Sequence, residues 1–251
     1  MKTPYSTTTA PTDARETAAQ AAAQEEAQAR FLLLGDSHAG PIGRAARAAR
    51  LPFEGGPLGS AREFNADFYD PRGADIAFRD PEAERLYRAH LAALGVTGLD
   101  GLAARGVPLV ATFGLSAHTL ATTEYWRIYR DRDGAFAPGF PDGGLFADIV
   151  RTMVRGALAL YAHARGLGLR VVAVLPPQRV PGMCDTDAFL AAQDVVRAAL
   201  EELEIELVDL RERVTDGSGL QRPAFCEADD AIHGNLAFGR LIVSDLLARG
   251  L

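Results

Sequence analysis

The stretch Phe31-Leu32-Leu33-Leu34-Gly35-Asp36-Ser37-His38 decides the fold. Four consecutive apolar residues have the length of a buried strand, and Gly-Asp-Ser ends the run with turn-forming residues. An Ala-rich helical pattern follows over residues 40–50. A strand, turn and helix in this order open an alternating β/α chain. They also deliver Ser37 to the C-terminal end of a strand, where open α/β sheets place their chemistry. The competing reading is structural, because Ser and Asp are both favoured helix N-caps.

Working outward, apolar strand patterns recur at 107–113, 170–175 and 205–210, and helical patterns at 81–94, 145–165, 185–203 and 236–249. The segment 51–80 is rich in Gly, Pro, Asn and Asp and reads mostly as loop, with a short strand near 51–54. Segments 114–142 and 211–227 read as loop as well. Four or five apolar strands separated by helices of crossover length predict a parallel sheet covered on both faces. The expected class is a single-domain three-layer α/β/α fold over 30–251, doubly wound and flavodoxin-like. Residues 1–29 are Thr-rich, then rich in Ala, Gln and Glu without a strong apolar stripe, which predicts a disordered or loosely helical arm.

At 251 residues and 48% hydrophobic content, the chain can bury a normal core, roughly 70–75% of its unfolded surface. A net charge of -7 argues against a partner as anionic as nucleic acid. The arginines lie among acidic residues on helical patterns, as solvated faces do. There is no run of membrane-spanning length and no apolar segment of the signal type, so the expectation is a cytoplasmic protein without a membrane span. Cys184 and Cys226 form no CxxC pair and no metal spacing; they read as two free thiols, or as one disulfide if the chain is exported. Gly35 and Gly40 have the glycine spacing of a phosphate loop, but Pro41-Ile42 stands where Lys-Ser/Thr is required. No HExxH occurs, and a zinc site would need His38, His118 and His233 to converge. No cofactor or metal is expected.

Far along the chain, Asp230-Ala231-Ile232-His233 precedes the last helical pattern. At this spacing the carboxylate can accept a hydrogen bond from the imidazole, fix its tautomer and leave the other ring nitrogen facing a hydroxyl. With Ser37, these residues are the parts of a nucleophile, its base and the base's orienter. The bland alternative makes Asp230 the cap of the last helix.

Gly35-Asp36-Ser37-His38 together with Asp230-x-x-His233 resembles the SGNH hydrolase superfamily, the GDSL esterases and lipases. Resemblance of fold covers about residues 31–250, and that of motif covers the two ends. The Gly-Asp-Ser-His-Ala form is similar to branches associated with O-acetyl groups on sugars. The resemblance implies that Ser37 is the nucleophile, His233 the general base and Asp230 its orienter. The implied reaction is cleavage or transfer of a small acyl group such as acetyl from an O-ester of a small molecule or glycan, through an acyl-serine.

The same resemblance implies an oxyanion hole built from the serine amide, a glycine amide and an asparagine side chain. Here Gly114-Leu115-Ser116-Ala117-His118 stands at the third block, so Ser116 takes the asparagine position, with a water or His118 to complete the site. Gly56 is the choice for the glycine, with Gly55 and Gly59 beside it. Asn65 is either a substitute amide or a turn cap, and His38 either touches substrate or is structural. Phe64, Phe68, Tyr69, Tyr125, Trp126 and Tyr129 either line a cleft or pack beneath the loops. Ser116 in place of asparagine motivates the alternative function, a catalytically degenerate SGNH-fold binding or accessory protein. A flavodoxin-like cofactor binder is a third reading.

Overall fold

The computed structural model describes residues 29–65 and 67–251, so the arm expected over 1–29 lies outside the described residues but for Ala29. Phe31 to Leu34 are all buried, and they run into strand β1 (Leu32–Gly35), followed by helix α1 (Ala39–Ala48) and strand β2 (Glu54–Pro57). A hairpin of β3 (Tyr69–Arg72) and β4 (Asp75–Phe78) leads to α2 (Pro81–Ala93), α3 (Leu99–Ala104) and β5 (Leu109–Ala111). Single-turn helices α4 (Ala117–Leu120) and α5 (Thr123–Trp126) precede α6 (Gly144–Met153), α7 (Arg155–Gly166) and β6 (Val171–Val174). The chain closes through α8 (Thr186–Glu202), β7 (Glu206–Val208), α9 (Arg211–Val214) and α10 (Leu236–Ala248).

Among the described residues the main sheet has five strands, all parallel, in the order β2-β1-β5-β6-β7. Strand alternation sends successive side chains to opposite faces. Leu32, Leu34, Leu109, Ala111, Val171 and Ala173 pack on one face against α2, α3, α6, α7 and α8. Phe31, Leu33, Val110, Val172 and Val174 pack on the other against α1 and α10. These are the three layers expected. The chain steps from β1 outward to β2 and then returns past β1 to β5, so the strand order reverses between β1 and β5. Crevices at such switch points, beyond the carboxyl ends of the strands, are where open α/β sheets bind ligands.

Two local expectations are corrected. Segment 51–80 is not mostly loop: it holds β2 and the β3–β4 hairpin. β2 reads Glu-Gly-Gly-Pro because it is an edge strand, partly exposed and held by backbone pairing with β1 rather than by apolar alternation. The long helix over 145–165 is two helices, broken where Val154 leaves helical geometry. Helix α3 carries too few residues for its periodicity to stand out.

Candidate active site

The end of β1 is built around a close approach. A Cβ on Gly35 would lie 2.0 Å from Thr112 Oγ1, so only glycine lets the Thr112 hydroxyl reach across from the end of β5. That hydroxyl accepts from the Asp36 N–H (3.2 Å) and donates to Asp36 Oδ1 (3.1 Å). Asp36 Oδ1 also accepts from the His38 N–H at 2.9 Å, and Oδ2 accepts from the Ser116 hydroxyl at 2.6 Å. The Asp36 carboxyl is fully buried; desolvation raises its pKa, against the opposing pull of these hydrogen bonds. Asp36, not Ser37, therefore makes the turn that opens α1. The structure does not support capping by Ser37: the helix starts at Ala39 without a side-chain cap.

The partner of Ser37 comes from a loop just before α10. Cys226 and Gly234 form an antiparallel bridge, and the Glu227 N–H donates to the His233 carbonyl at 3.1 Å, closing the mouth of the loop. Asp230 Oδ1 accepts from the N–H groups of Ile232 (2.6 Å) and His233 (2.7 Å), and its Oδ2 lies 2.6 Å from His233 Nδ1. Desolvation raises the Asp230 pKa, but the hydrogen bonds from the His233 ring and these two amides outweigh it and hold the carboxylate below its usual range. His233 Nε2 stands 2.7 Å from Ser37 Oγ. This geometry fits the tautomer protonated on Nδ1, which donates to Asp230 and leaves Nε2 to accept the serine proton. The cap of α10 is Asn235, whose Oδ1 accepts from Ala237 N (2.9 Å) and Phe238 N (3.1 Å). Asp230 is thus free of the capping role that was its structural alternative.

Two further imidazoles stand beside this chain. The His38 ring centroid lies 4.9 Å from that of His233 and 5.8 Å from that of His118. His38 is buried, and neither of its ring nitrogens has a partner among the described residues. Burial pushes its pKa down to about 3, and burial likewise pushes His118 to about 4. Both rings are neutral near pH 7. His38 is a flat, uncharged wall for His233, whereas His118 is only partly buried and its ring makes no hydrogen bond among the described residues.

The oxyanion residues expected from sequence are redistributed. The Ser116 hydroxyl is committed to Asp36 and buried, so the residue at the asparagine position braces the turn under Ser37. Gly56 is corrected: it pairs with Leu34, three residues short of Ser37, roughly 10 Å down the strand. The register ends by pairing Gly35 with Pro57, and the Leu58 N–H donates to the Gly35 carbonyl (2.8 Å), so Gly59 is the glycine that follows this pairing at the carboxyl end of β1. Neither the Ser37 nor the Gly59 N–H has a backbone acceptor among the described residues. Asn65 ends a short 3-10 turn, and its side-chain amide lies 3.3 Å from the Thr119 hydroxyl, whose proton goes to the nearer Ser116 carbonyl (2.8 Å).

Phe64 and Phe68 are core, packed with Phe78 and Phe113, and Trp126 is buried on Phe146; Tyr125 is exposed. Thr112 and Arg179 were not singled out by sequence reasoning, whereas Gly59 was one of the two alternatives to Gly56. Thr112 shows only through its close approach to Gly35 across the sheet. Arg179 donates to the carbonyls of Glu227 and His233, a role with no sequence signature.

An open cleft is lined by Ser37, Pro41, Arg44, Glu227, Asp230 and His233, with Arg44 and Glu227 paired across it at 3.3 Å. Cys184 and Cys226 are free thiols. Among the described residues, no group of three or more His, Cys, Asp or Glu is placed to hold a metal ion, and no helix is long and apolar enough to cross a membrane.

No family model matches the chain, and no curated protein matches it either. Among solved structures, the chain is similar to a GDSL-like lipase from Bacteroides thetaiotaomicron, at 12% identity and a TM-score of 0.48, over 94% of this chain and 98% of that one. It is similar to a lipase/acylhydrolase from Enterococcus faecalis at 13% identity and a TM-score of 0.43, over 88% and 96% of the two chains. A mutant of an acetyl-xylooligosaccharide esterase from Geobacillus aligns at 12% identity and a TM-score of 0.43, over 87% and 92%.

Proposed function

We propose that the chain is a serine esterase of the SGNH type, acting on O-esters of small acyl groups such as acetyl, with a small molecule or glycan as the alcohol portion. The observation that carries this reading is the unbroken hydrogen-bond chain from Ser37 Oγ to His233 Nε2 (2.7 Å) and from His233 Nδ1 to Asp230 Oδ2 (2.6 Å). Ser37 Oγ attacks the ester carbonyl while His233 takes its proton and Asp230 stabilises the imidazolium. The tetrahedral oxyanion is met by the Ser37 and Gly59 amides, with the neutral His118 ring as third donor where the family has asparagine. Collapse breaks the ester C–O bond, and His233 returns the proton to the departing alcohol. Water, or an acceptor alcohol in a transfer reaction, then attacks the acyl-serine with His233 again as base.

The walls of the cleft support a small, polar substrate. Beyond the three catalytic side chains they offer Pro41 and the Arg44–Glu227 pair, a donor and an acceptor suited to hydroxyl groups, and among the described residues that line the cleft there is no large apolar side chain for a fatty tail. Hydrolysis of p-nitrophenyl acetate against the decanoate tests this. The expected result is turnover of the acetate that disappears in Ser37→Ala, with the decanoate poor. The degenerate binding protein, the reading favoured by the commitment of Ser116 to Asp36, gives no turnover of either ester at high protein concentration.

A further inference from the structure

The Asp230–His233 alignment is internal to one loop, since residues 230–233 supply all of its bonds. The alignment of His233 on Ser37 is not. It spans the molecule, and it depends on how the loop is seated over the carboxyl end of the sheet. Among the described residues, a few contacts seat it. Helix α10 lies close on α1, where a Cβ on Gly239 would come 2.3 Å from the Pro41 carbonyl, and this anchors the C-terminal side of the loop. Arg44 reaches the Glu227 side chain from α1, but both partners are half exposed, where an ion pair contributes little.

The remaining tie comes from the end of β6. Pro176 and Pro177 carry no backbone N–H, so the chain cannot extend the sheet there and turns across its edge. The Gln178 carbonyl accepts from the Gln221 N–H at 3.0 Å, and the buried Gln221 side chain donates to the Phe225 carbonyl at 2.9 Å, just before the loop. The next residue is the half-buried Arg179. Its Nη1 donates to the carbonyl of His233 at 2.7 Å and to that of Glu227 at 3.0 Å. These residues face each other across the mouth of the loop. One guanidinium nitrogen, with two N–H bonds, thus holds both sides of the mouth and ties them to β6.

We infer that Arg179 is a positioning residue, whose clamp on the Glu227 and His233 carbonyls seats the acid–base loop so that His233 Nε2 meets Ser37 Oγ. The inference rests on the esterase reading and adds a residue that touches neither substrate nor the reacting atoms. A displacement of about 1 Å between base and nucleophile can cost 10²-fold in rate. Charge-assisted bonds of this kind are the stronger class, and both carbonyls would lose a cationic donor in Arg179→Ala.

The test compares wild type, Arg179→Ala and Arg179→Lys in three measurements: steady-state ester hydrolysis, the rate of labelling by a fluorophosphonate, and the far-downfield Nδ1–H proton resonance of His233. In Arg179→Ala, kcat and the labelling rate are expected to fall together by about 10²-fold with KM little changed. The Nδ1–H resonance persists, because the Asp230–His233 bond is made within the loop. Free guanidinium ion restores part of the activity, and Arg179→Lys is intermediate. Packing of α10 on α1 should keep Arg179→Ala folded; if it does not fold, Arg179→Lys decides alone by falling below wild type at unchanged KM. A variant that labels and turns over at the wild-type rate overturns the inference and leaves the esterase reading standing. Wild-type protein that never labels overturns the reading, and the inference with it.

Discussion

His233 Nε2 lies 2.7 Å from Ser37 Oγ although the two residues are 196 positions apart in the chain. Two devices bring them together: a glycine that opens β1 to Thr112, and a loop whose mouth is closed onto the sheet. The chemistry proposed for the chain follows from that meeting, and so do the expected outcomes below.

Ser116 and His118 should fail in different ways when truncated. The Ser116 hydroxyl braces buried Asp36, so Ser116→Ala leaves one carboxylate oxygen without its donor and should destabilise the fold by about 1–3 kcal/mol, measured by urea unfolding. His118 carries no such load. His118→Ala should keep wild-type stability and lose about 10²-fold in kcat, the order expected for an oxyanion donor. If His118→Ala keeps full kcat, the third donor is not His118, and the Asn65 amide becomes the next residue to substitute.

Gly35→Ala should be far more damaging than a single added methyl suggests. Its Cβ would meet Thr112 Oγ1 at 2.0 Å and the Thr112 backbone nitrogen at 2.9 Å, and the backbone atom belongs to the sheet and cannot swing away. Separation of β1 from the end of β5 would also break both Thr112 bonds to Asp36. The expected result is an unfolding free energy, measured by chemical denaturation, lower by about 3 kcal/mol or more, or no soluble folded protein. A variant of normal stability would mean that β1 and Thr112 are not packed as described.

Stability should fall as the solution is acidified from about pH 6.5 toward 4.5, because of buried His38 and partly buried His118. His38 and His118 have folded pKa values of about 3 and about 4, below the ordinary value of 6.5, so in this window the unfolded chain binds protons that the native state refuses. Their contribution is whole above pH 6.5 and is lost as the pH falls toward the folded values. Asp230, also depressed, adds loss of the same sign below its ordinary 3.8, reduced by its exposure, while Asp36, raised by burial, acts in the opposite sense. Thermal unfolding followed from pH 8 to 4.5 should show a steeper decline in wild type than in His38→Phe. Equal slopes would mean that His38 is not held neutral by burial.

The contrast between Gly56 and Gly59 shows where sequence reading reaches its limit. Strands β1, β5 and β6 were legible because Phe31 to Leu34, and the runs of β5 and β6, are buried on both faces and are therefore continuously apolar, while the β3–β4 hairpin was not. Ser37, Asp230 and His233 were legible as candidates because each sits in a short motif whose spacing carries a mechanism. Gly56 and Gly59 lie in one glycine-rich segment, and only the register shows that Gly56 is paired inside the sheet with Leu34 while Gly59 lies beyond the last pair, Gly35 with Pro57. Ser116 was read as an oxyanion donor because its partner, Asp36, is remote in sequence and buried for reasons of packing. Arg179 was invisible among many arginines, since its acceptors are backbone carbonyls, which every residue has.

The central claim is that Ser37 Oγ is an activated nucleophile, and covalent capture measures it most directly. Intact protein treated with a fluorophosphonate and weighed by mass spectrometry should gain one phosphonyl group, mapped to the peptide that contains Ser37. The adduct should be absent from Ser37→Ala, and in His233→Ala it should form more slowly by at least about 10³-fold, as expected when the base of a triad is removed. Labelling that persists in Ser37→Ala, or a wild-type protein that stays unmodified, would contradict the account.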